Sequence, residues 1–435
     1  MAMRLIVLPV LAILMGTASA QPGAVPAEHP FSLSARDFGA VGDGKTDDTA
    51  AIQEALDKAA ADGGGIVRLP RGNYRVASHL TVPYNVTLEG VFSVPTAYSQ
   101  GRGTTLLAEE GRGSEEGPPF IALGRNSAIK GLTIYYPNQD VLNEIVPYPW
   151  CIATMGWGQG RGNSENTSIV DVLMVNPYMG VNFADGGGVR HYIRNLYGEP
   201  LRIGIKVDNC VDVGRIENVH FWPFSSSNGG SAARRFRATQ GEAFVFGRTD
   251  WQYVLNTFCI GYKIGYHFIR TEHGACSGNF VGIGADSSNV AVQVDVVDPY
   301  SSGILITNGE FVSNSGDDST HVRVAATNPG PVRFSNCAFW GTGDRVALLE
   351  GSGNTTFSGC LFRAWDRNSV GRAAIDLLNG ALIVSGCQFA GAGTGVHLGP
   401  DAQAASVFGN HFAGTEAVAD DSDGAVAIGL NITGR

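Results

Sequence analysis

Four carboxylates and a histidine near the middle of the chain have side chains that can do acid–base chemistry. Asp250 and Glu272 are 22 residues apart, Asp208 and Glu217 precede them, and His273 follows Glu272 directly. Two carboxylic acids held beside a glycosidic bond can act as acid and base in its cleavage. We therefore predict a catalytic role for these five residues, provided that the fold brings them together.

Basic residues in the same region permit a different reaction. From Gly186 to Ala275 the chain has 11 Lys and Arg against 7 Asp and Glu, although its net charge is −10. A positive region on an acidic protein favours an anionic substrate. Arg270, Lys263 or His273 can then act as the base that removes the proton α to a uronate carboxyl group, or can neutralise that carboxyl group.

Aromatic side chains gather in this part of the sequence, and sugar rings stack on exposed aromatic planes. The predicted substrate-binding residues are Trp222, Trp251, Tyr262, Arg270, Lys263 and His220. The predicted partner is a polysaccharide or oligosaccharide. Nucleic acid is disfavoured, because the chain is acidic and has no nucleic-acid-binding motif.

A repeated phrase indicates how distant residues are brought together. The phrase begins with an apolar residue, has Asn, Gly or Asp two positions later and ends with Phe, Ile or Met, as in IENVHF (216–221). It recurs mostly every 22–30 residues. Blocks of alternating apolar residues lie between the phrases: MGVNFAD (179–185), IGIKVDN (203–209), IGYHFIR (264–270) and VAVQVDV (290–296). This alternation predicts short strands, which bury their apolar faces by stacking. The sequence therefore predicts an all-β protein, a parallel β-helix of about ten to twelve coils.

The cysteines occupy one position of the repeat. Cys337, Cys360 and Cys387 lie in FSNCAF, FSGCLF and VSGCQF, and Asn410 takes the same position in VFGNHF. This spacing predicts an interior ladder in which cysteine behaves as a small buried apolar residue. No CxxC pair or Cys/His cluster appears, so we predict neither a metal site nor a cofactor.

The N-terminus has the pattern of an export signal. Arg4, the apolar run LIVLPVLAILMG and Ala18-Ser19-Ala20 predict a signal peptide at 1–20. No later stretch reaches about 18 apolar residues, so we expect no membrane span, and a protein that is periplasmic or secreted. The other expected parts are a linker at 21–34, a cap with a helix at 35–62, a β-helix at 63–415 with insertions at 141–166 and 225–242, and a C-terminal end at 416–435.

One segment carries a family resemblance. DFGAVGDGKTDDTAAIQEAL (37–56) followed by GGGIVRLPRGNYRV (63–76) resembles the N-terminal signature of the pectate-lyase superfamily, which contains rhamnogalacturonases, polygalacturonase-related proteins and epimerase-like proteins. The resemblance implies a single-stranded right-handed parallel β-helix, an N-terminal capping helix and carbohydrate activity. It also implies that the aspartates of this segment are architectural.

The chain departs from the motifs of its relatives. Polygalacturonases have Asn-Thr-Asp, Asp-Asp, Gly-His-Gly and Arg-Ile-Lys in that order, which this chain does not reproduce. Alginate epimerases use Asp-Pro-His, and this chain has Asp298-Pro299-Tyr300. Three hypotheses remain: a glycoside hydrolase, which we favour, a polysaccharide lyase acting by β-elimination on a uronate, and a noncatalytic glycan-binding protein.

Overall fold

The chain winds through short parallel strands on three faces of a cylinder, which we call faces A, B and C. The computed structural model describes residues 32–96, 103–155, 164–184, 187–224, 231–414 and 416–434. Each coil passes from A to B to C, and each strand pairs in parallel with the strand of the same face in the next coil. The predicted parallel β-helix is confirmed.

The strands divide among the faces as follows. Face A holds Ser32–Ser34, Gly65–Arg68, Val86–Glu89, Thr249–Leu255, Gly274–Val281, Ile304–Thr307, Val332–Ser335, Asn354–Ser358 and Ala425–Gly429. Face B holds Asp43–Asp47, Gly72–Val76, Thr104–Ala108, Phe258–Ile260, Gly284–Ser288, Glu310–Ser313, Ala338–Phe339, Leu361–Phe362, Gln388–Phe389, His411–Phe412 and Ile432–Thr433. Face C holds Leu80–Val82, Ile121–Leu123, Trp150–Thr154, Met179–Phe183, Ile203–Val207, Glu242–Phe246, Ile264–Phe268, Val290–Val294, Thr320–Val324, Arg345–Leu349 and Val418–Asp420. Ala128–Tyr135, Ser168–Val175, Tyr192–Gly198 and Arg215–Phe221 cross from A to B, and Ile375–Ser385 and Val396–Phe408 cross from C to A. Arg270–Thr271 pairs antiparallel with the start of Gly274–Val281.

The predicted capping helix is confirmed, and it covers the open end of the stack. The helix Thr49–Ala61 occupies the face C position of the first coil and packs on Leu80–Val82 and Gly65–Arg68. Its buried side chains include Ile52 and Leu56. Asp48 precedes the helix, but its carboxylate accepts hydrogen bonds from the N–H groups of Val41 and Gly42. It fixes the loop before the helix and is architectural.

The corner between faces A and B depends on left-handed residues. Asp171, Asn195 and Asn218 have φ values of 55°, 55° and 50° there. Asn195 Nδ2 donates to Asp171 Oδ1 at 2.7 Å, and Asn218 Nδ2 donates to Asn195 Oδ1 at 2.7 Å. Asparagine tolerates positive φ better than most residues, which explains its place in the repeated phrase.

The cysteines form the expected interior ladder. Cys360 N donates to Cys387 Sγ at 3.3 Å, and Cys387 N donates to Asn410 Oδ1 at 2.8 Å. All seven cysteines are buried and free. The ladder is therefore held by backbone donors and not by disulfides.

Several boundaries differ from those expected. The expected signal peptide at 1–20 and most of the linker at 21–34 lie outside the described residues. The insertion expected at 141–166 is divided by the face C strand Trp150–Thr154, and that expected at 225–242 contains the helix Ala232–Gln240. The stack continues through Ile432–Thr433 and does not end at 415. Among the described residues, face A has fifteen successive strand segments, so the predicted number of ten to twelve coils is too low.

No helix among the described residues is long and apolar enough to cross a membrane.

Candidate functional site

A row of side chains, all but one of them polar, lies on the outer side of face C. Asn182, Lys206, Val245, His267, Gln293 and Arg323 are successive partners in the parallel ladder. Their strand neighbours, such as Ile205 and Val207, are fully buried. Because side chains alternate along a strand, this row points away from the core. We call it the face C row.

Long connections border one side of this row. The connections 109–120, 136–149 and 222–241 all lead from face B to face C. They are joined by hydrogen bonds, since Gly113 N donates to Pro147 O at 2.8 Å, and Ala232 N donates to Leu142 O at 3.1 Å. Their described parts form one continuous wall.

Connections from face C to face A border the opposite side. They include 187–191, 208–214, the hairpin turn at 270–274, and 295–303. Face C therefore lies between two sets of connections, and we call the surface between them the face C trough. Long loops on a rigid stack of strands are a usual place for a binding site.

A histidine between two carboxylates lies in the trough. His267 Nδ1 lies 2.8 Å from Glu242 Oε2, and His267 Nε2 lies 2.9 Å from Asp295 Oδ2. Burial acts to lower the pKa of His267, but the hydrogen bonds and charges of both carboxylates outweigh burial and raise it to about 9. The imidazole is therefore charged at neutral pH, and it lowers the pKa of Glu242 and of Asp295 against the opposing effect of their burial.

Further cations lie beside this cluster. Arg202 Nη1 is 3.4 Å from Glu242 Oε1, and Arg323 Nε is 3.6 Å from Glu350 Oε2. The half-buried Lys206 makes no side-chain hydrogen bond or ion pair within the described part of the chain. An ammonium group without a partner on this surface is available to an anionic ligand.

Most of the carboxylates predicted to be catalytic lie at the corner between faces C and A. Asp250 Oδ1 pairs with Arg248 Nη1 at 2.7 Å. Asp208 is only 6% exposed, and its Oδ1 accepts hydrogen bonds from Arg248 N at 2.6 Å and Thr271 Oγ1 at 2.8 Å. The structure thus brings Asp208 and Asp250 to the same residue, since Arg248 contacts Asp250 through its guanidinium and Asp208 through its backbone N–H.

The hairpin turn holds three more predicted residues. Glu272 is the most exposed of them, with 86% of its side chain accessible, and its Oε1 lies 3.5 Å from His273 Nε2. Arg270 is also exposed. These residues lie on a wall of the trough and not on its floor, and their catalytic and binding roles stay predictions.

Other predicted residues lie on different faces. Glu217 is on face A, where Tyr192 Oη donates to its Oε2 at 2.9 Å. His220 is on face B, with its ring centroid 5.2 Å from that of Phe258, and burial lowers its pKa. Trp222 lies just after His220, with its ring 5.3 Å from that of Phe224. The structure therefore does not bring Glu217 and His220 to the trough.

The remaining predicted binding residues differ in exposure. Tyr262 is buried, and its Oη donates to Pro200 O at 2.6 Å, so the prediction that it stacks on a sugar is wrong. Lys263 is exposed at the start of a face C strand. Trp251 is 66% exposed and has a positive φ of 56° at an irregularity in the ladder on face A.

The residues of the face C row were missed from sequence, although a signal for them exists. In MGVNFAD, IGIKVDN, IGYHFIR and VAVQVDV the fourth residue is polar: Asn182, Lys206, His267 and Gln293. Aligning these blocks by strand register would have placed these side chains in one outward row. Asp295 lies in the block VAVQVDV two residues after Gln293, so the same alternation points to it, whereas Glu242 begins the strand Glu242–Phe246, which is none of these blocks.

The described residues contain no group of three or more His, Cys, Asp or Glu side chains arranged to hold a metal ion.

Sequence comparison places the chain among known proteins. The family described as Rhamnogalacturonase A/epimerase, pectate lyase-like, matches residues 32–209. Mannuronan C5-epimerase AlgE3 of Azotobacter vinelandii is 52% identical over 67 residues, which are 14% of this chain and 4% of the epimerase. Alginate lyase 7 of the same organism is 64% identical over 47 residues, 11% of this chain and 6% of the lyase. The matched segments thus span a small part of these relatives.

Structural comparison extends over nearly the whole chain. The A-module of mannuronan C-5 epimerase AlgE6 from Azotobacter vinelandii matches 93% of this chain and 99% of the module, with a TM-score of 0.50 and 16% identity. At this identity the likeness shows the fold alone. This likeness shows that the chain has the right-handed parallel β-helix fold, and its N-terminal part, residues 32–209, is similar to the pectate lyase-like family.

Proposed function

We propose that the protein is an enzyme that acts on a uronate-containing polysaccharide in the face C trough, by β-elimination. One observation carries the proposal: Lys206 and the charged His267 lie in one outward row on the trough floor. Fixed cations in such a site stabilise the negative charge that develops on a uronate when its proton is removed. The names of the relatives, mannuronan epimerase and alginate lyase, support a uronate substrate.

The geometry suggests roles for four residues. In β-elimination the C5–H and C4–O bonds of the uronate break, and a double bond forms between C4 and C5. Lys206 neutralises the substrate carboxylate. Asp295 is the more exposed partner of His267, with 37% of its side chain accessible against 21% for Glu242. Nε2 of His267 therefore exchanges Asp295 for the leaving oxygen and gives its proton to that oxygen. The released Asp295 carboxylate accepts the C5 proton, and Glu242 orients the ring.

A glycoside hydrolase is the second candidate. Glu242 and Asp295 lie on opposite sides of the His267 ring, so two carboxylates flank one position of the trough. Such a pair can act as acid and base in hydrolysis. The carboxylates first predicted for this role, Asp208 and Asp250, are held by Arg248.

The product distinguishes these reactions. The protein is incubated with polymannuronate, polyguluronate and polygalacturonate, and products are followed by ultraviolet absorbance and mass spectrometry. We expect a rise in absorbance from the conjugated unsaturated uronate, with no gain of water in the product. Gain of water without absorbance would support the hydrolase, and binding without any product would support a glycan-binding protein.

Variants test the site. We expect Lys206→Ala and His267→Gln each to lower kcat/KM by about 100-fold or more, because each removes a charge that acts on the reacting sugar. Lys130→Ala, on face A, is the matched control and should stay within about twofold of the unmodified protein. Loss of activity in Glu272→Gln, with His267→Gln active, would instead place the chemistry at the hairpin turn.

We also propose that the protein is exported, on the basis of the pattern at 1–20. Cell fractionation followed by N-terminal sequencing should find the mature chain beginning near Gln21, outside the cytoplasm. A chain recovered in the cytoplasm with Met1 intact would contradict export.

A further inference from the structure

A second concave surface lies on face B, separate from the face C trough. A cavity of about 420 Å³ opens there, and its lining includes Phe258, Gly284, Asp286, Glu310 and Trp340. We call it the face B cavity. Its volume falls in the range of small-molecule binding sites.

The cavity exists because one residue of the face B ladder has no side chain. Phe258, Gly284 and Glu310 are successive ladder partners. A Cβ atom on Gly284 would lie 3.0 Å from Phe258 Cδ2. Glycine therefore leaves a gap in the outer row, with an aromatic ring on one side and a carboxylate on the other.

Two aromatic rings border this gap. Trp340 is 45% exposed, although a tryptophan side chain usually buries most of its surface. Phe258 is held in place by His220, whose ring packs against it at 88° and 5.2 Å between centroids. Rigid aromatic rings at a cavity are suited to the apolar C–H face of a sugar ring.

The charges of the cavity select among sugars. Asp286 and Glu310 are the charged residues of its described lining, and neither forms an ion pair there. Carboxylates accept hydrogen bonds from sugar hydroxyls but repel a uronate. Asn256, at the rim, adds an amide with no side-chain partner among the described residues.

We propose that the face B cavity is a binding site for a neutral sugar unit of a polysaccharide. The ring stacks on Trp340 and Phe258, and its hydroxyls donate to Asp286 and Glu310. This site is independent of the reaction in the face C trough, because it uses another face of the cylinder and the opposite charge.

Calorimetric titration tests the proposal. The probes are neutral hexasaccharides of glucose, mannose, galactose and xylose, with a hexamannuronate for comparison. We expect at least one neutral probe to bind, and Trp340→Ala and Phe258→Ala each to weaken its binding by about tenfold or more. Tyr84→Ala, which removes a similarly exposed ring elsewhere, should leave binding unchanged. Circular dichroism and thermal unfolding confirm that each variant is folded.

Three results would overturn the proposal. They are the absence of binding by every neutral probe at about 10 mM, binding that neither aromatic variant weakens, and equal competition by the hexamannuronate. Titration of the Lys206→Ala variant separates this site from the proposed reaction. Neutral-sugar binding that disappears with Lys206 would place the sugar in the face C trough instead.

Discussion

At the scale of the residue, the protonation of His267 links the trough to stability. Its folded-state pKa of about 9 lies above the ordinary value of 6.5, so its charged form stabilises the folded chain fully below pH 6.5. That stabilisation is lost as the pH rises from 6.5 through about 9, and we expect it to amount to about 2–3 kcal/mol. Urea unfolding across this range should show the free energy of unfolding falling, and falling much less in His267→Gln.

The two carboxylate partners of His267 affect the free energy of unfolding at low pH. The lowered pKa values of Glu242 and Asp295 mean that their stabilisation is present above their unfolded pKa values and is lost in acid. If the free energy of unfolding falls as steeply between pH 6.5 and 9 in His267→Gln as in the unmodified protein, another group titrates in that range.

The residues proposed for the trough lie in the part of the chain that the sequence singled out, but they are not the residues that it named. Asp250 and Glu272 are acidic, close to one coil apart, and flanked by polar residues, yet one faces an arginine and the other faces solvent. Which carboxylate is already neutralised by a neighbour depends on three-dimensional contacts such as Arg248 with Asp250. Those contacts join side chains whose reach and direction the repeat spacing does not specify.

At the scale of the element, the corner between faces A and B tests the role of asparagine. Asn195→Ala replaces a residue that tolerates left-handed backbone with one that tolerates it less well, and it removes hydrogen bonds to Asp171 and Asn218. We expect it to lower the free energy of unfolding by about 2 kcal/mol. Asn195→Gly loses the same hydrogen bonds without the steric strain, and should be about half as damaging. Equal losses in urea unfolding would mean that backbone conformation is not what the asparagine supplies.

The strands and corners were the predictable elements, and the connections were not. Period-two alternation reports directly which side chains face the core, and Asn, Gly or Asp in the repeated phrase marks the left-handed corner. The segment 141–166 reads as one insertion because the repeated phrase is absent between IKGLTI (129–134) and IVDVLM (169–174), yet Trp150–Thr154 completes face C within it. The ladder on either side holds this strand in place, and local sequence does not reveal that pairing.

At the scale of the whole molecule, the capping helix closes a core that runs the length of the stack. Leu56 is fully buried against the first coils, whereas Glu54 on the same helix is exposed. We expect Leu56→Ala to destabilise the protein by about 3 kcal/mol, and Glu54→Ala to change it by less than about 0.5 kcal/mol. Because a loosened cap uncovers strand edges, Leu56→Ala should also promote self-association in analytical ultracentrifugation. A monomeric variant of unchanged stability would show that the helix is dispensable.

The wall beside the trough has a consequence for engineering this scaffold. Backbone hydrogen bonds join Leu142 to Ala232 and Pro147 to Gly113. Connections that are far apart in sequence therefore contact one another, in addition to contacting the strands of the cylinder. Grafting a single loop from a relative would leave its former neighbours with unpaired amide groups. Exchange of specificity between such proteins should therefore succeed only when all three connections are transplanted as a matched set.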